Sequence, residues 1–319
     1  MNLEEKVLQK LKEQKNVSGE MLAREFNVSR MAVCKAVGRL RAEGYRIESK
    51  PRKGYRLLPL EDEPLNIFEI GRNLGTKVVG REIYCLKEVD STMDEVKKFA
   101  EKPEGLVVVA ERQLKGRGRL SREWFSPKGG LYLSILLKPK IQPQMVPCLS
   151  LLGGLAVCET VRSLYQMDAK LKWPNDVVYG GRKLSGVLVE ASIEQDLIHY
   201  VILGIGVNLN LDKPDFPPSL RKTACSVKMV LQRQVSRPEF ARNLLRKIDY
   251  WYDVLHKKGS EPIIEAWVKL SSTIGKLVKV RLPGGSLTGI AETLDEDGAL
   301  ILKTPNGNRV KVYAGEVQV

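Results

Sequence analysis

KWPNDVVYGGRKLSGVLVE, residues 172–190, reads as two β-strands folded back on each other. DVVY and KLSGVLVE flank Gly180-Gly181, and two glycines between alternating runs are the chemistry of a two-residue hairpin turn. A tight hairpin makes its strands antiparallel, which favours a largely mixed or antiparallel sheet. Working outward, EIYCLKEV, GLVVVAE, LYLSILLKP, KLKW and HYVILGIGVN supply further strands, with helices expected at 92–102, 144–166 and about 237–270. The predicted fold class is α+β.

Both flanks of this region change character. On the amino-terminal side, Leu3, Val7, Leu8 and Leu11 share one helical face, and Ser18 can cap a second short helix with Leu22 and Phe26 inward. After a turn at Asn27-Val28, Ser29 can cap a third helix whose core face is Val33, Val37 and Leu40. YRIESKPRKGYRLLP then alternates about a Pro-Arg-Lys-Gly tip, a hairpin signal. Helix, helix, capped helix and basic hairpin form the pattern of a winged helix-turn-helix, expected over 1–60. Its candidate DNA contacts are Ser29, Arg30, Met31 and Lys35 on the third helix and Arg52 and Lys53 at the wing tip. A small protein-interaction domain with a solvated basic face is the other reading. PLEDEPLN, 59–66, is an acidic, proline-rich break. A central domain is placed at 66–270. At 274–319, four short strands with Pro-Gly-Gly, Asp-Glu-Asp-Gly and Pro-Asn-Gly turns predict a small SH3-like barrel.

Charge follows the same division. The chain of 319 residues carries +14 overall, and residues 1–60 hold 14 Lys/Arg against 7 Asp/Glu, the footprint expected of a phosphate-backbone partner. The longest apolar run, MVPCLSLLGGLAVC at 145–158, is too short and too interrupted to span a bilayer, and MNLEEKVLQKLKEQ lacks a signal-peptide core. A cytoplasmic protein with no membrane partner is expected. The five cysteines are scattered, which predicts reduced, mostly buried thiols rather than a disulfide frame or zinc site. With only His199 and His256, neither beside glycine- or carboxylate-rich sequence, histidine-metal and Ser-His-Asp chemistry are disfavoured. Catalysis, if any, rests on lysine, arginine and backbone amides.

KGRGRLSREWFSPKGG, 115–130, concentrates such groups: Lys115, Arg117, Arg119 and Arg122 are separated by small residues and followed by Trp124. Arginine forks match phosphate or carboxylate, and glycines let backbone N–H groups approach the same anion. The Walker pattern is absent, so this is not a P-loop. Alone, the segment reads equally as a solvated surface loop, and Trp124 as core.

Its neighbours carry more. DST at 90–92, ERQLKGRGR at 111–119, WFSPKGGLYLS at 124–134, KWPND at 172–176, GRKLSGVLVE at 181–190 and GIGVNLN at 204–210 occur in one order along the chain. Together they resemble the bifunctional biotin–protein ligase and biotin-operon repressor family, and the winged helix and carboxy-terminal barrel extend that likeness over essentially the whole chain. One departure is visible: LSRE stands at 120–123 where the family pattern leads one to expect another Arg-Gly-Arg-like segment.

The resemblance implies a ligase domain of the class II synthetase-like, biotinyl/lipoyl ligase type, using biotin and ATP as substrates with Mg²⁺. Biotin would attack the α-phosphate to give biotinyl-5′-adenylate, and a lysine of a biotin carboxyl carrier protein would then attack the mixed anhydride. Lys183 and Arg119 are the implied catalytic residues. Ser91, Thr92, Met93, Gln113, Gly116, Arg117, Gly118, Arg119, Lys183, Gly186, Gly204 and Gly206 are the implied biotin set, with Leu131, Tyr132 and Leu133 as an apolar wall. Arg117, Arg119, Trp124, Lys172, Asn175, Asp176, Lys183 and Asn208 are the implied nucleotide set, with Asp176 a candidate Mg²⁺ contact. Ser91 equally opens a capping box, S-T-M-D, for the helix at 92–102. Operator DNA is the second implied partner, and a ligand-linked homodimer would present two recognition helices. A sensor without catalysis and a lipoate-type acyltransferase are the rival functions.

Overall fold

The structure is a computed structural model that describes residues 2–51, 53–282 and 285–318. The chain divides into two compact units, Met1–Arg72 with Ser236–Pro238, and Asn73–Val235 with Glu239–Val319.

The first unit contains α1 (Leu3–Glu13), α2 (Gly19–Glu25), α3 (Arg30–Ala42), a hairpin of β1 (Ile47–Lys50) and β2 (Gly54–Leu57), and the short α4 (Ile67–Gly71). Asn2, Ser18 and Ser29 cap the first three helices through side-chain oxygens that accept N–H groups left without intrahelical partners. Asn27 takes the left-handed conformation at the turn between α2 and α3 (φ 52°). Val7, Leu8, Leu11, Leu22, Val33, Val37 and Leu40 close one apolar core, as the helical spacing predicts. Glu69 of α4 is buried and accepts from Lys12 Nζ at 2.5 Å and from the Tyr45 hydroxyl at 2.8 Å. That buried carboxylate ties the segment after the hairpin to this core.

The second unit is built on a seven-stranded sheet. Its strands are β3 (Glu82–Leu86), β4 (Leu106–Ala110), β5 (Leu131–Leu137), β6 (Lys170–Lys172), β7 (Asp176–Tyr179), β8 (Arg182–Glu194) and β9 (Leu197–Val207). The spatial order is β3-β4-β5-β9-β8-β7-β6, parallel at β3-β4 and antiparallel elsewhere. The turn between β7 and β8 is Gly180-Gly181, both at positive φ (55° and 74°), where residues with a Cβ are strained.

One face of this sheet is covered by α6 (Val146–Tyr165), whose Leu149, Leu152, Leu155 and Val161 are fully buried. Each such leucine contributes about 1.5–3 kcal/mol. The helix continues beyond the interrupted run at 145–158, so Pro143–Tyr165 has the length and composition of a membrane span. The expectation that the stretch is too short is therefore corrected; it is the central core helix, packed on β8, β9 and α9 (Glu261–Lys269). The opposite face carries α5 (Thr92–Lys97), shorter than the expected 92–102, with Met93 and Val96 packed on Leu106, Val108, Leu136 and Ile202.

Two helices occupy the stretch expected at 237–270: α8 (Arg237–Lys258) and α9. The short α7 (Val227–Leu231) precedes them. The carboxy-terminal strands are β10 (Leu277–Leu282), β11 (Gly285–Leu294), β12 (Leu300–Lys303), β13 (Arg309–Val312) and β14 (Glu316–Gln318), in the antiparallel order β13-β12-β11-β10-β14. The fifth strand, β14, is one more than expected.

Candidate active site

Strand alternation builds the cleft. Between the two register shifts of β8, over residues 185–192, and on the facing part of β9, the even residues face α5 and the odd ones face α6, so Gly186, directly opposite Gly206, and Leu188, opposite Gly204, lie on the α5 face. The paired glycines form a floor without side chains, and the indole of Trp124 rests on it. A Cβ placed on Gly206 would lie 2.3 Å from Trp124 Nε1, and one on Gly186 would lie 3.0 Å from Trp124 Cζ3. Gly204 instead makes room for Met93, whose Sδ would be 2.8 Å from such an atom. Trp124 Nε1 is buried and has no hydrogen-bond partner among the described residues, which leaves a donor for a ligand oxygen.

Lys183 sits at the head of β8, where the ladder with β7 shifts register between Val177 and Val178. Its backbone is fixed from the side by Thr223 and Cys225, at 2.7 and 2.9 Å. Its Nζ lies 2.7 Å from Asp176 Oδ1 and 5.3 Å from the centroid of the Trp124 ring. The ammonium is thus held between a carboxylate and an aromatic face at the edge of the floor. Asn175 donates to the Val187 carbonyl (2.7 Å) and accepts from Arg119 at 3.3 Å. Trp173, just before this turn, is buried and donates from Nε1 to the Gly298 carbonyl of the carboxy-terminal sheet at 3.1 Å.

The basic loop closes one side as a small antiparallel turn. Gly118 N–H donates to the Arg122 carbonyl, Arg122 N–H to Arg119 and Trp124 N–H to Gly116, at 2.7, 3.2 and 2.9 Å. At the departure LSRE, Leu120 and Ser121 both take left-handed backbone (φ 55° and 57°), a strained choice for residues with a Cβ. Most of the loop's cations rest on carboxylates: Lys115 on Asp90 (2.8 Å), Arg117 on Asp94 and Glu190 (2.9 and 3.3 Å), and Arg122 on Glu316 (2.9 Å). Arg119 has no carboxylate within ion-pair distance among the described residues, and burial lowers its pKa from the usual arginine value.

The polar end of the cleft starts at α5. Ser91 caps that helix by accepting the Met93 N–H at 3.3 Å. Asp94 pairs with Arg117 instead of completing the expected capping box. The Thr92 N–H and hydroxyl both donate to Gln113 Oε1, at 2.8 and 3.0 Å, and Gln113 Nε2 donates to Ser126 at 2.9 Å.

These residues surround one cleft of about 500 Å³, within the range of a cofactor-sized site. Ser91, Thr92, Met93, Gln113, Arg117, Gly118, Arg119, Trp124, Lys172, Asn175, Asp176, Lys183, Gly186, Gly204, Gly206 and Asn208 all line it. Gly116 stands behind, against Trp124 O and Ser126 Oγ. Leu131 and Leu133 point to the α6 face, and Tyr132 is covered with its hydroxyl on the Pro127 carbonyl, so the expected apolar wall is not theirs. Phe216, Leu220, Thr223 and Ala224 wall the cleft instead, with Gly315–Val317 at its rim. Asn208 spends its amide on the Cys225 carbonyl at 3.0 Å, holding that wall in place.

Asp176, the implied Mg²⁺ contact, lines the cleft with its Oδ1 buried and making no hydrogen bond among the described residues, which suits a metal carried largely by phosphates and water rather than an all-protein cage. No three His, Cys, Asp or Glu groups gather among the described residues, and Asp176 is also the counter-ion of Lys183. In the first unit, Arg30, Met31, Lys35 and Lys53 are exposed, while Ser29 caps α3 by accepting the Ala32 N–H at 3.1 Å. Arg52 lies outside the described residues.

Capped helix-turn-helix, glycine-floored cleft and cationic loop define a DNA-binding module joined to an anionic-ligand enzyme. Comparison with known proteins agrees. The biotin/lipoate A/B protein ligase family pattern matches residues 84–208, a helix-turn-helix domain matches 4–56, and the biotin protein ligase C-terminal domain matches 273–319. The bifunctional ligase/repressor BirA of Bacillus spizizenii is 34% identical over 95% of this chain and 94% of its own length. That of Escherichia coli is 30% identical over 90% and 88%. The biotin protein ligase of Aquifex aeolicus, solved with biotin and ATP, superposes with a TM-score of 0.66 at 32% identity, covering 75% of this chain and 98% of its own. The chain belongs to the biotin protein ligase family.

Proposed function

We propose that the protein joins biotin to AMP in this cleft, transfers it to a lysine of a biotin carboxyl carrier protein, and represses biotin genes through its winged helix. The observation that carries the reading is Lys183, paired with Asp176 and set against Trp124 at the edge of the Gly186–Gly206 floor. A carboxylate oxygen of biotin attacks the α-phosphorus of ATP, and pyrophosphate leaves with the electrons of the broken P–O bond. Two anions meet in that step, so a fixed ammonium beside the reacting oxygens stabilises the charge that develops. Asp176 keeps Lys183 aimed. Arg119, free of carboxylates among the described residues, supplies the second cation. In the second step the neutral amine of the carrier attacks the anhydride carbonyl, AMP leaves, and the amine gives up a proton.

Thr92 and Gln113 present the polar end suited to a ureido group, and Trp124 gives the nucleotide its aromatic face and an uncommitted N–H. Asp176 is the residue of this chain that would contact Mg²⁺, which would offset part of the charge on the ATP phosphates. Segments 66–270 and 274–319 carry the ligase, and 1–60 the operator contacts, with α3 in the major groove and the wing along the backbone. Adenylate that orders the basic loop also orders a dimer surface, so a cytoplasmic homodimer forms when carrier is scarce. The test is exchange of labelled pyrophosphate into ATP with biotin, lipoate or neither. Exchange driven by biotin supports the reading; exchange only with lipoate, or with neither acid, refutes it. Sedimentation with and without biotin and ATP tests the dimer, and an unchanged mass refutes that part.

A further inference from the structure

The strained turn at Leu120-Ser121 has to be held by something, because left-handed backbone at two successive residues with side chains persists only where the surroundings impose it. One hold is local: the main-chain bonds of Arg122 to Gly118 and Arg119. The other comes from far along the chain. Both terminal nitrogens of Arg122 donate to Glu316, Nη1 to Oε1 at 3.0 Å and Nη2 to Oε2 at 2.9 Å, the parallel fork that arginine forms with a carboxylate. Glu316 is not on a loose tail. It lies on β14, opposite Arg281 of β10, beside the buried Val317. Trp173 fastens the same carboxy-terminal sheet to the KWPND turn through Gly298. Arg119, whose guanidinium reaches Asn175 at the cleft edge, begins the turn that Arg122 ends.

We propose that Glu316 is a positioning residue of the ligase reaction: through Arg122 it latches the basic loop to the carboxy-terminal sheet, sets Arg119 over the cleft, and so governs how long the adenylate is retained. This rests on the adenylate-forming reading above. The pair is half exposed, with side chains 62% and 41% accessible, so the latch is a modest one that tunes escape rather than abolishing closure.

The test loads the full-length protein with biotin, ATP and Mg²⁺, removes free reactants, and follows adenylate released to solution per adenylate formed. Labelling of lysines on an added bystander protein is read in parallel. Glu316→Gln and Arg122→Gln are each expected to raise the escape rate about two- to fivefold. The charge swap Arg122→Glu with Glu316→Arg is expected to bring it back toward the parent. Salt at 0.5 M should raise parent escape to the variants' level, since screening acts on this pair. Arg122→Gln alters only a loop side chain, so it decides the matter even if a change on β14 impairs folding. Equal escape from parent and single variants, or a swap that restores nothing, overturns the latch while leaving the ligase reading intact. A parent that forms no adenylate overturns both.

Discussion

Gly206→Ala probes the floor of the cleft with one methyl group. The added carbon would stand 2.3 Å from Trp124 Nε1 and 2.4 Å from Cε2, far inside contact distance, so the indole must leave the floor and take its loop with it. Backbone strain does not enter, because Gly206 is not among the positive-φ glycines. Overpacking of this kind costs about 1–3 kcal/mol. If the whole cost falls on the closed, ligand-bound state, affinity drops roughly five- to 150-fold, at about 1.4 kcal/mol per tenfold. Calorimetric titration with biotin in the presence of ATP measures this in the parent, Gly206→Ala, Trp124→Ala and the double variant. In the Trp124→Ala background there is no indole to displace, so the alanine should cost less than about 0.5 kcal/mol, the limit expected of uncoupled sites. Parent-like binding together with a parent-like thermal midpoint for Gly206→Ala, or an equal penalty in both backgrounds, refutes the placement of Trp124 on the glycine floor.

Three further outcomes follow from the same geometry. Lys183→Ala should lower pyrophosphate exchange by about 10²–10³ while leaving the thermal midpoint nearly unchanged; near-parent exchange would remove its assigned role. Burial pushes the thiols of Cys85, Cys148 and Cys158 up to about 12 and that of Cys225 to about 11, whereas Cys34 is exposed on α3. Alkylation at pH 8 should therefore label one thiol quickly in the native protein and all five in denaturant, and rapid native labelling of two or more contradicts the packing. The hydrogen bonds from Arg122 hold the Glu316 carboxyl below its ordinary value of 4.5, so the pair's contribution to stability is complete above that value and is lost as pH falls through the lower, folded one. The difference in thermal midpoint between parent and Glu316→Gln should accordingly shrink with acid; a difference independent of pH refutes the pairing.

What could be read from the chain alone follows the strength of local chemistry. Gly180-Gly181 announced its hairpin because two positive-φ positions call for glycine, and Ser18 and Ser29 marked helix starts because their hydroxyls complete the first turn. The motif residues converged on one cleft because strand alternation puts Gly186, Gly204 and Gly206 on one face. Other features leave only weak local signals. β14 is three residues long, too short for alternation to register, and so the rim at Gly315–Val317 and the Glu316 fork went unseen. Phe216, Leu220, Thr223 and Ala224 sit in an irregular segment with no period, and only tertiary packing turns them toward the cleft. The resemblance implies a wall at Leu131 and Leu133, but β5 points them toward α6. The Asp94 half of the capping box was outcompeted by Arg117, an ion pair that no i-to-i+3 pattern reveals.

In the proposed reaction, charge neutralisation at the cleft edge makes the mixed anhydride possible. Incubation of the purified chain with biotin, ATP and Mg²⁺, followed by native mass spectrometry, tests it most directly. A bound species of the mass of biotin plus AMP less one water, near one per chain, is the predicted result. Recovery of only unreacted biotin and ATP would contradict it.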